Sequence, residues 1–385
     1  MSSFGLLRRR LRRVLLRVAG RVLRRSQRQL PTRARRILVI KPDNLGDVLL
    51  LTPALQLLRQ QRPDAHITLL VGPWSTLAVA HNPNINTILT CAFPGFARST
   101  KGTLLQPYWL LFKMALLLRA GRFDVALIAR DDHWWGALLA ALAGIPHRIG
   151  YAVPETQPFL TQALPHSFAD HVSAQNIALV EALTGQSANP APTMTPPISD
   201  QDRAWAGQWL RSNGAPSSSL IAIHPGAGGA AKLWLAERWT EVANTLHEQG
   251  YTVLLTGGVT ERDLVQMVAQ GMLQRPLMLV GEATVGQLAA LYQRCSMVLG
   301  VDSGPLHLAV AAGAPTLALF GPGDAGRFGP WGNPKQHIVL HSGLWCSPCG
   351  VLDACPRGTA PSECMTLIKT PQVFAALEQL RLSQL

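Results

Sequence analysis

The sequence predicts an α/β protein made of two doubly wound, Rossmann-like domains that face each other across a cleft. Three observations carry this reading. Short β-rich runs alternate with helical patterns, as a parallel, helix-covered sheet requires. The alternation stops at "QSANPAPTMTPPI", residues 186–198, a stretch of proline and small polar residues typical of a linker, and then restarts. Finally, 385 residues that are 48% hydrophobic and 15% charged are enough for two sizeable cores and are not a disordered composition.

The predicted order is a basic arm over residues 1–36, a first domain over 37–185, the linker 186–198, a second domain over 199–369 and a C-terminal helix over 370–385. In the first domain "RILVIKPDNLGDVLLLTPALQLLRQQ" reads as a buried strand, Ile37 to Ile40, then a loop and an amphipathic helix. "HITLLVG", "INTILT" and "DVALIAR" supply further strands. The second domain repeats the logic with "LIAIHPGAG", "YTVLLTGG", "LMLVG", "SMVLGVDSG" and "PTLALFGPGD", most of them strands that run into glycine turns.

The net charge of +13 is not spread over the chain. Residues 1–36 hold 13 arginines and no acid, and the remainder balances 22 basic against 22 acidic residues. In that arm Leu7, Leu11, Val14, Leu15, Val18 and Val22 fall at helical spacing with arginines around them, so a helix lying in the headgroups of an anionic membrane surface is expected. A solvated basic arm is the alternative. Nucleic acid is not expected as a partner, because no basic patch or aromatic platform elsewhere supports it. A secretory signal is not expected either, since arginines interrupt every candidate apolar core.

The stretch from Asp302 to Asp324 encloses 21 residues without a charged side chain, but Pro305, Gly313, Pro315, Gly321 and Pro322 break it up. It therefore reads as loop, helix (Leu306 to Ala312), turn and strand (Thr316 to Phe320), not as a membrane span.

Three strand ends carry candidate ligand-binding residues. In "AIHPGAGGAAKLW", Gly226, Gly228 and Gly229 permit close backbone approach to an oxyanion, and Lys232 follows at a reach suited to phosphate. The spacing is neither that of a Walker A loop nor that of a dinucleotide fingerprint. In "LLTGGVTERD", Glu261 is placed either to accept from ribose hydroxyls or to cap the following helix. Asp302, Ser303 and Gly304 precede Pro305 at a helix start, where backbone N–H groups form a seat for a diphosphate, and His307 follows one turn later. A capped core helix with an internal imidazole is the alternative reading of that last group.

Four of the six cysteines cluster in "CSPCGVLDACPRGTAPSEC": Cys346, Cys349, Cys355 and Cys364. The C-x-x-C start fits a structural metal, the later spacings are irregular for one, and reduced structural or redox-responsive thiols are the alternative.

"NLGDVLLLTPAL", "HPGAGGAAKLWLAERW", "TGGVTE" and "VDSGPLHLAVAAGAPTLALFGP", in that order and spacing, closely resemble the ADP-heptose:lipopolysaccharide heptosyltransferases, glycosyltransferase family 9, over roughly residues 37–372. The resemblance implies the GT-B fold and an inverting transfer of heptose from ADP-heptose to a lipopolysaccharide inner-core (Kdo-lipid A type) acceptor, at the cytoplasmic face of the membrane. It assigns Asp47 as the catalytic base, Lys232 to the donor phosphates, Glu261 to the ribose, and Asp302, Ser303, Gly304 and His307 to the donor sugar and its diphosphate. No cofactor or divalent cation is required on this reading, and Asp131 and Asp132 are adjacent and do not form an Asp-x-Asp pair. Where family members usually have Trp-Pro, this chain has Trp234 and Leu235, a change expected to touch only a helix start. The arginine-rich extension is unusual for the family. A different donor sugar, a protein or capsular glycan acceptor, and a non-catalytic nucleotide-sugar-binding role are the competing expectations.

Overall fold

The computed structural model describes residues 3–23, 34–96, 105–215 and 219–383, with side chains from Arg12 onward. Residues group into two compact units. Unit 1 holds the chain up to Asn44, Pro53–Thr76 and Pro83–Pro192; unit 2 holds Leu45–Thr52, Leu77–Asn82 and the chain from Thr193.

The first part of the chain contains α1 (Ser3–Val22), β1 (Arg36–Lys41), α2 (Leu45–Leu49), α3 (Thr52–Gln61), β2 (His66–Val71), β3 (Thr87–Thr90), α4 (Gln106–Ala120), β4 (Val125–Ile128), α5 (Trp134–Leu142), β5 (His147–Tyr151), β6 (Gln162–Leu164) and α6 (Val172–Thr184). All strands pair in parallel, in the order β3-β2-β1-β4-β5-β6. The central strands β1, β2, β4 and β5 are almost wholly buried, whereas the edges β3 and β6 are only partly covered. This is the pattern expected when helices cover both faces of a parallel sheet.

The second part contains α7 (Asp200–Ser212), β7 (Leu220–His224), α8 (Ala236–Glu248), β8 (Thr252–Gly257), α9 (Arg262–Gln270), β9 (Leu277–Val280), α10 (Val285–Tyr292), β10 (Met297–Val301), α11 (Gly304–Ala311), β11 (Thr316–Phe320), α12 (Ala325–Phe328), β12 (His337–His341), α13 (Glu363–Thr366) and α14 (Thr370–Leu382). Its sheet is also parallel, ordered β12-β11-β10-β7-β8-β9. The strand order reverses direction between β10 and β7, which makes the carboxyl ends of those strands the natural ligand position.

Local chemistry explains the helix limits. Ser199 and Asp202 form a reciprocal capping box at the start of α7, and Thr284 and Gln287 form another at α10. At α8, Leu235 caps with extended backbone and no side-chain bond, so the helix simply starts at Ala236. Trp234 beside it is buried and donates from its indole N–H to the Ile368 carbonyl at 3.0 Å. The core of unit 2 joins β7, β8, β10 and β11 through Trp239, Val242, Leu246, Leu299 and Leu319 to Val373, Leu377 and Leu380 of α14.

Helix α1 packs by a face other than the one that carries Val14, Leu15, Val18 and Val22. Leu16 is buried in the unit 1 core and Ala19 and Leu23 lie against it, while Val14, Leu15, Val18 and Val22 are exposed. Gly20 is needed for this seat, because a Cβ there would stand 2.6 Å from Pro158. The side chains of Leu7 and Leu11 lie outside the described residues. Among the described residues no helix is long and apolar enough to cross a membrane.

Candidate functional site

The site is built at the carboxyl ends of β7, β8 and β10 in unit 2. Strand β7 ends at His224, followed by Pro225 and the glycine loop; β8 ends at Gly257 and turns through Gly258 to Glu261; β10 ends at Val301 and delivers Asp302 and Ser303 to the start of α11.

Gly226 and Glu261 meet closely. A Cβ on Gly226 would lie 2.2 Å from the Glu261 carboxyl, so only glycine leaves the carboxylate its place. Glu261 accepts the Gly258 backbone N–H at 2.6 Å and stands 3.4 Å from Nε2 of His224. Burial works to raise its pKa, but His224 and the Gly258 amide outweigh that and hold the carboxyl below its ordinary value. Nδ1 of His224 is 3.0 Å from the Thr256 hydroxyl, which is 2.9 Å from the Tyr292 hydroxyl. In the tautomer whose Nε2–H faces the carboxylate, Nδ1 accepts from Thr256, and the Tyr292 phenol donates to Thr256. The glutamate thus closes its own turn and forms the outer end of a buried polar chain, and it makes no side-chain cap bond to α9.

Lys232 and Asp302 form the second pair. The ammonium lies 2.8 Å from Asp302 Oδ2 and donates to the Asp302 backbone carbonyl at 3.2 Å. Gly323 makes room for this carboxylate, since a Cβ there would stand 2.3 Å from Oδ2. An ammonium has three donors. Two are committed to Asp302, which fixes the cation beside the residue preceding the N-cap of α11 and leaves one for an incoming oxyanion.

Ser303 is that N-cap, with extended backbone and no side-chain cap bond. Its hydroxyl is buried and has no hydrogen-bond partner among the described residues. A buried hydroxyl without a partner costs about 1–3 kcal/mol, so it is conspicuous at a helix N-terminus that also favours negative charge. Gly304 and Pro305 follow in the first turn, and His307 is buried one turn along.

Helix α2, with Asp47 in its first turn, groups with unit 2 and packs on α11. The contact needs two glycines: a Cβ on Gly46 would lie 2.8 Å from His307 Cδ2, and one on Gly304 would lie 3.3 Å from Leu45 Cδ2. The Asp47 side chain is half-buried. Asp47, Gly304 and His307 are thereby carried by two helical turns in contact, with Ser303, Asp302 and Lys232 continuing the same edge. Gly228 is exposed in its loop and is drawn into none of these contacts.

A further polar group lies in unit 1 at the ends of β1 and β4, and the sequence reading did not single it out. Asp43 is buried, 3.1 Å from the Lys41 ammonium, and paired with the Arg130 guanidinium. Lys41 also donates to the Ala129 carbonyl at 2.9 Å, and the Trp74 indole donates to the Asp43 carbonyl at 3.1 Å. His133 is buried among Phe93, Phe96 and Trp135, and burial pushes it down to about 3, so it is neutral. The available signal was a charged residue two positions beyond the end of each of two buried strands, Asp43 after β1 and Arg130 after β4.

The thiols of Cys346, Cys349, Cys355 and Cys364 are unpaired and line one small cavity with Ala231, Pro322 and Arg357. Among the described residues no group of three or more His, Cys, Asp or Glu side chains is arranged to hold a metal ion.

Comparison with known proteins places this geometry in context. The model of glycosyltransferase family 9 (heptosyltransferase) matches residues 111–355. Lipopolysaccharide heptosyltransferase 3 of Escherichia coli is 29% identical over 302 residues, covering 75% of this chain and 84% of that protein. The solved glycosyltransferase family 9 structure from Veillonella parvula superposes with a TM-score of 0.75 at 26% identity, over 90% of this chain and 97% of that one. E. coli heptosyltransferase WaaC, solved with ADP-2-deoxy-2-fluoro heptose, shares the fold at a TM-score of 0.64 and 17% identity, over 89% and 99% of the two chains. Two parallel six-stranded α/β sheets, and a family match that takes in strands of both, make this a GT-B glycosyltransferase: the chain belongs to glycosyltransferase family 9, the heptosyltransferases.

Proposed function

We propose that this enzyme transfers heptose from ADP-heptose, with inversion, to a saccharide of the lipopolysaccharide inner core of the Kdo-lipid A type, with Asp47 as general base. The observation that carries the proposal is the unpartnered Ser303 hydroxyl at the N-terminus of α11, next to the Lys232–Asp302 pair. That combination suits a diphosphate leaving group. The names of the relatives, lipopolysaccharide heptosyltransferases and an enzyme solved with an ADP-heptose analogue, support heptose as the sugar.

In the proposed reaction the acceptor hydroxyl oxygen attacks the anomeric carbon of the heptose, and the bond from that carbon to the β-phosphate oxygen breaks. Asp47 takes the hydroxyl proton, and ADP leaves with the bonding electron pair. The third Lys232 donor, the Ser303 hydroxyl and the first backbone N–H groups of α11 meet the charge that develops on the diphosphate. Gly226 and Gly228 let the loop backbone approach it, and Glu261, held by His224 and Gly258, accepts from the ribose hydroxyls. His307 and Gly304 border the sugar. The reaction as proposed routes no step through a metal or cofactor. The four tail cysteines stand outside it as structural thiols, and a structural metal there would have to draw their sulfurs together.

The acceptor is carried on lipid, and the enzyme is proposed to work as a peripheral protein at the cytoplasmic face of the inner membrane, with the arginines of the N-terminal arm on anionic headgroups. Titration calorimetry with ADP, UDP and GDP, with and without EDTA, followed by product analysis with ADP-heptose, tests the reading. Selective, EDTA-insensitive ADP binding and a heptosylated core product are expected. Preference for UDP or GDP would overturn the sugar, and absence of binding would overturn the enzyme reading of the site.

A further inference from the structure

Helix α4 has two apolar faces, and only one is used by the fold. Leu111, Met114, Ala115 and Leu118 are buried, whereas Leu105 just before the helix, Tyr108, Trp109, Phe112, Leu116 and Leu117 are exposed, Trp109 at 70%. The Trp109 and Phe112 rings stack with centroids 6.3 Å apart. Exposed apolar residues are ordinary when scattered, but a continuous aromatic and aliphatic stripe along one helix marks an interaction surface.

A second such stripe lies in the same unit. On α1, Val14, Leu15, Val18 and Val22 are exposed next to the exposed Arg12, Arg13, Arg17 and Arg21. Both helices flank α5. The connections β3-α4-β4 and β4-α5-β5 cross the sheet in one direction, which for right-handed crossovers puts α4 and α5 on one face, and the two helices pack together. Helix α1 reaches α5 through the Arg12 guanidinium, 6.0 Å over the Trp134 ring, and is tied down by an Arg13 bond to Glu155 at 2.8 Å.

We infer that α1 and α4 together form a docking surface for an anionic lipid bilayer. The inference rests on the membrane-facing part of the proposed function and extends it to an element outside the basic arm. The charge pattern selects the occupant. Neither helix contains an acidic residue, and Lys113 and Arg119 of α4 join the arginines of α1 at the surface, so a second copy of the same face would meet like charge. Anionic headgroups complement the cations, and tryptophan and tyrosine favour the boundary between headgroups and acyl chains.

Co-sedimentation of the full-length protein with vesicles of phosphatidylcholine alone, or of phosphatidylcholine with phosphatidylglycerol, tests this. Binding is expected only with phosphatidylglycerol, and to fall tenfold or more in Trp109→Ser/Phe112→Ser and in Arg17→Glu/Arg21→Glu. Trp345→Ala, which removes an exposed tryptophan of unit 2, should bind as the parent does. ADP affinity, measured on the same samples, is expected to be unchanged in all of them, which separates this surface from the donor site. If the aromatic pair variant binds vesicles like the parent while the arginine variant does not, α4 is excluded and the arm alone docks. If the aromatic variant instead converts a dimer to a monomer in sedimentation velocity and keeps its vesicle binding, the surface belongs to a second copy of the chain.

Discussion

A Cβ added to Gly46 would stand 2.8 Å from Cδ2 of His307, so the turn that carries Asp47 rests directly on a buried imidazole of α11. His307 has little room to withdraw, since the helix around it is buried from Leu306 to Ala311. Gly46→Ala must therefore shift either the imidazole or α2. Overpacking of this kind costs about 1–3 kcal/mol, and turnover is expected to fall about tenfold or more. ADP affinity should change much less, because Lys232, Ser303 and Glu261 are untouched. Steady-state kinetics beside ADP calorimetry checks this, and equal losses in both would mean that α2 does not position the base.

Asp47→Asn keeps the shape of the side chain and removes its proton-accepting charge. A positioned general base contributes roughly 10²–10⁴-fold, and a loss of that size in turnover is expected, with ADP binding retained. Near-parental turnover would remove Asp47 from the role of base.

Ser303 and Lys232 should separate binding from stability. Ser303→Ala removes a buried hydroxyl that has no partner among the described residues, so urea unfolding is expected to be unchanged or slightly more favourable to the fold. ADP affinity should fall by about 0.5–1.5 kcal/mol. Lys232→Ala leaves the Asp302 carboxylate without its cation and should weaken both: ADP by about 1.5–3 kcal/mol for a charged hydrogen bond, and the fold as well. A Ser303→Ala variant that loses stability but binds ADP normally would make the hydroxyl a structural group.

Gly226 and Glu261 are expected to act as one unit. Gly226→Ala drives a Cβ into the Glu261 carboxyl, so it should lower ADP affinity about as much as Glu261→Ala does. The double variant should then be no worse than either single one, a strongly non-additive cycle. Additive losses in a binding titration would show that the loop and the carboxylate contact the nucleotide independently.

The strand ends of unit 2 were legible because each is a buried apolar strand that runs into glycine and a polar residue, a pattern visible in one dimension. Other elements lacked that contrast. Strand β5, "HRIGY", is fully buried although it contains His147 and Arg148; the Arg148 guanidinium is satisfied by the carbonyls of Phe159 and Ile145, which periodicity does not reveal. β6, a three-residue edge strand, carries little apolar signal, and β12 is an edge strand whose Ile-Val-Leu run is only partly covered. On α1 the spacing of apolar residues fits two faces, and tertiary packing chose the one with Leu16 and Gly20. His224 was hidden for a related reason: its role comes from Thr256 and Glu261, more than thirty positions away.

Asp43 supplies the pH prediction. Burial works to raise its carboxyl, but Lys41 and Arg130 outweigh it and hold it below the ordinary value of 3.8. A carboxylate depressed in the folded state contributes its full stability above its unfolded pKa and loses it as pH falls through the folded one. Asp43→Asn leaves the buried Lys41 ammonium with the Ala129 carbonyl but no counter-charge, at a cost on the order of 3 kcal/mol. The stability gap between parent and variant should stay level from neutral pH down to about pH 4, the unfolded value, and narrow below it. Urea unfolding across that range measures the gap. A gap that widens with acid would mean that Asp43 is protonated in the fold and that the Lys41–Asp43–Arg130 cluster is not an ion pair network.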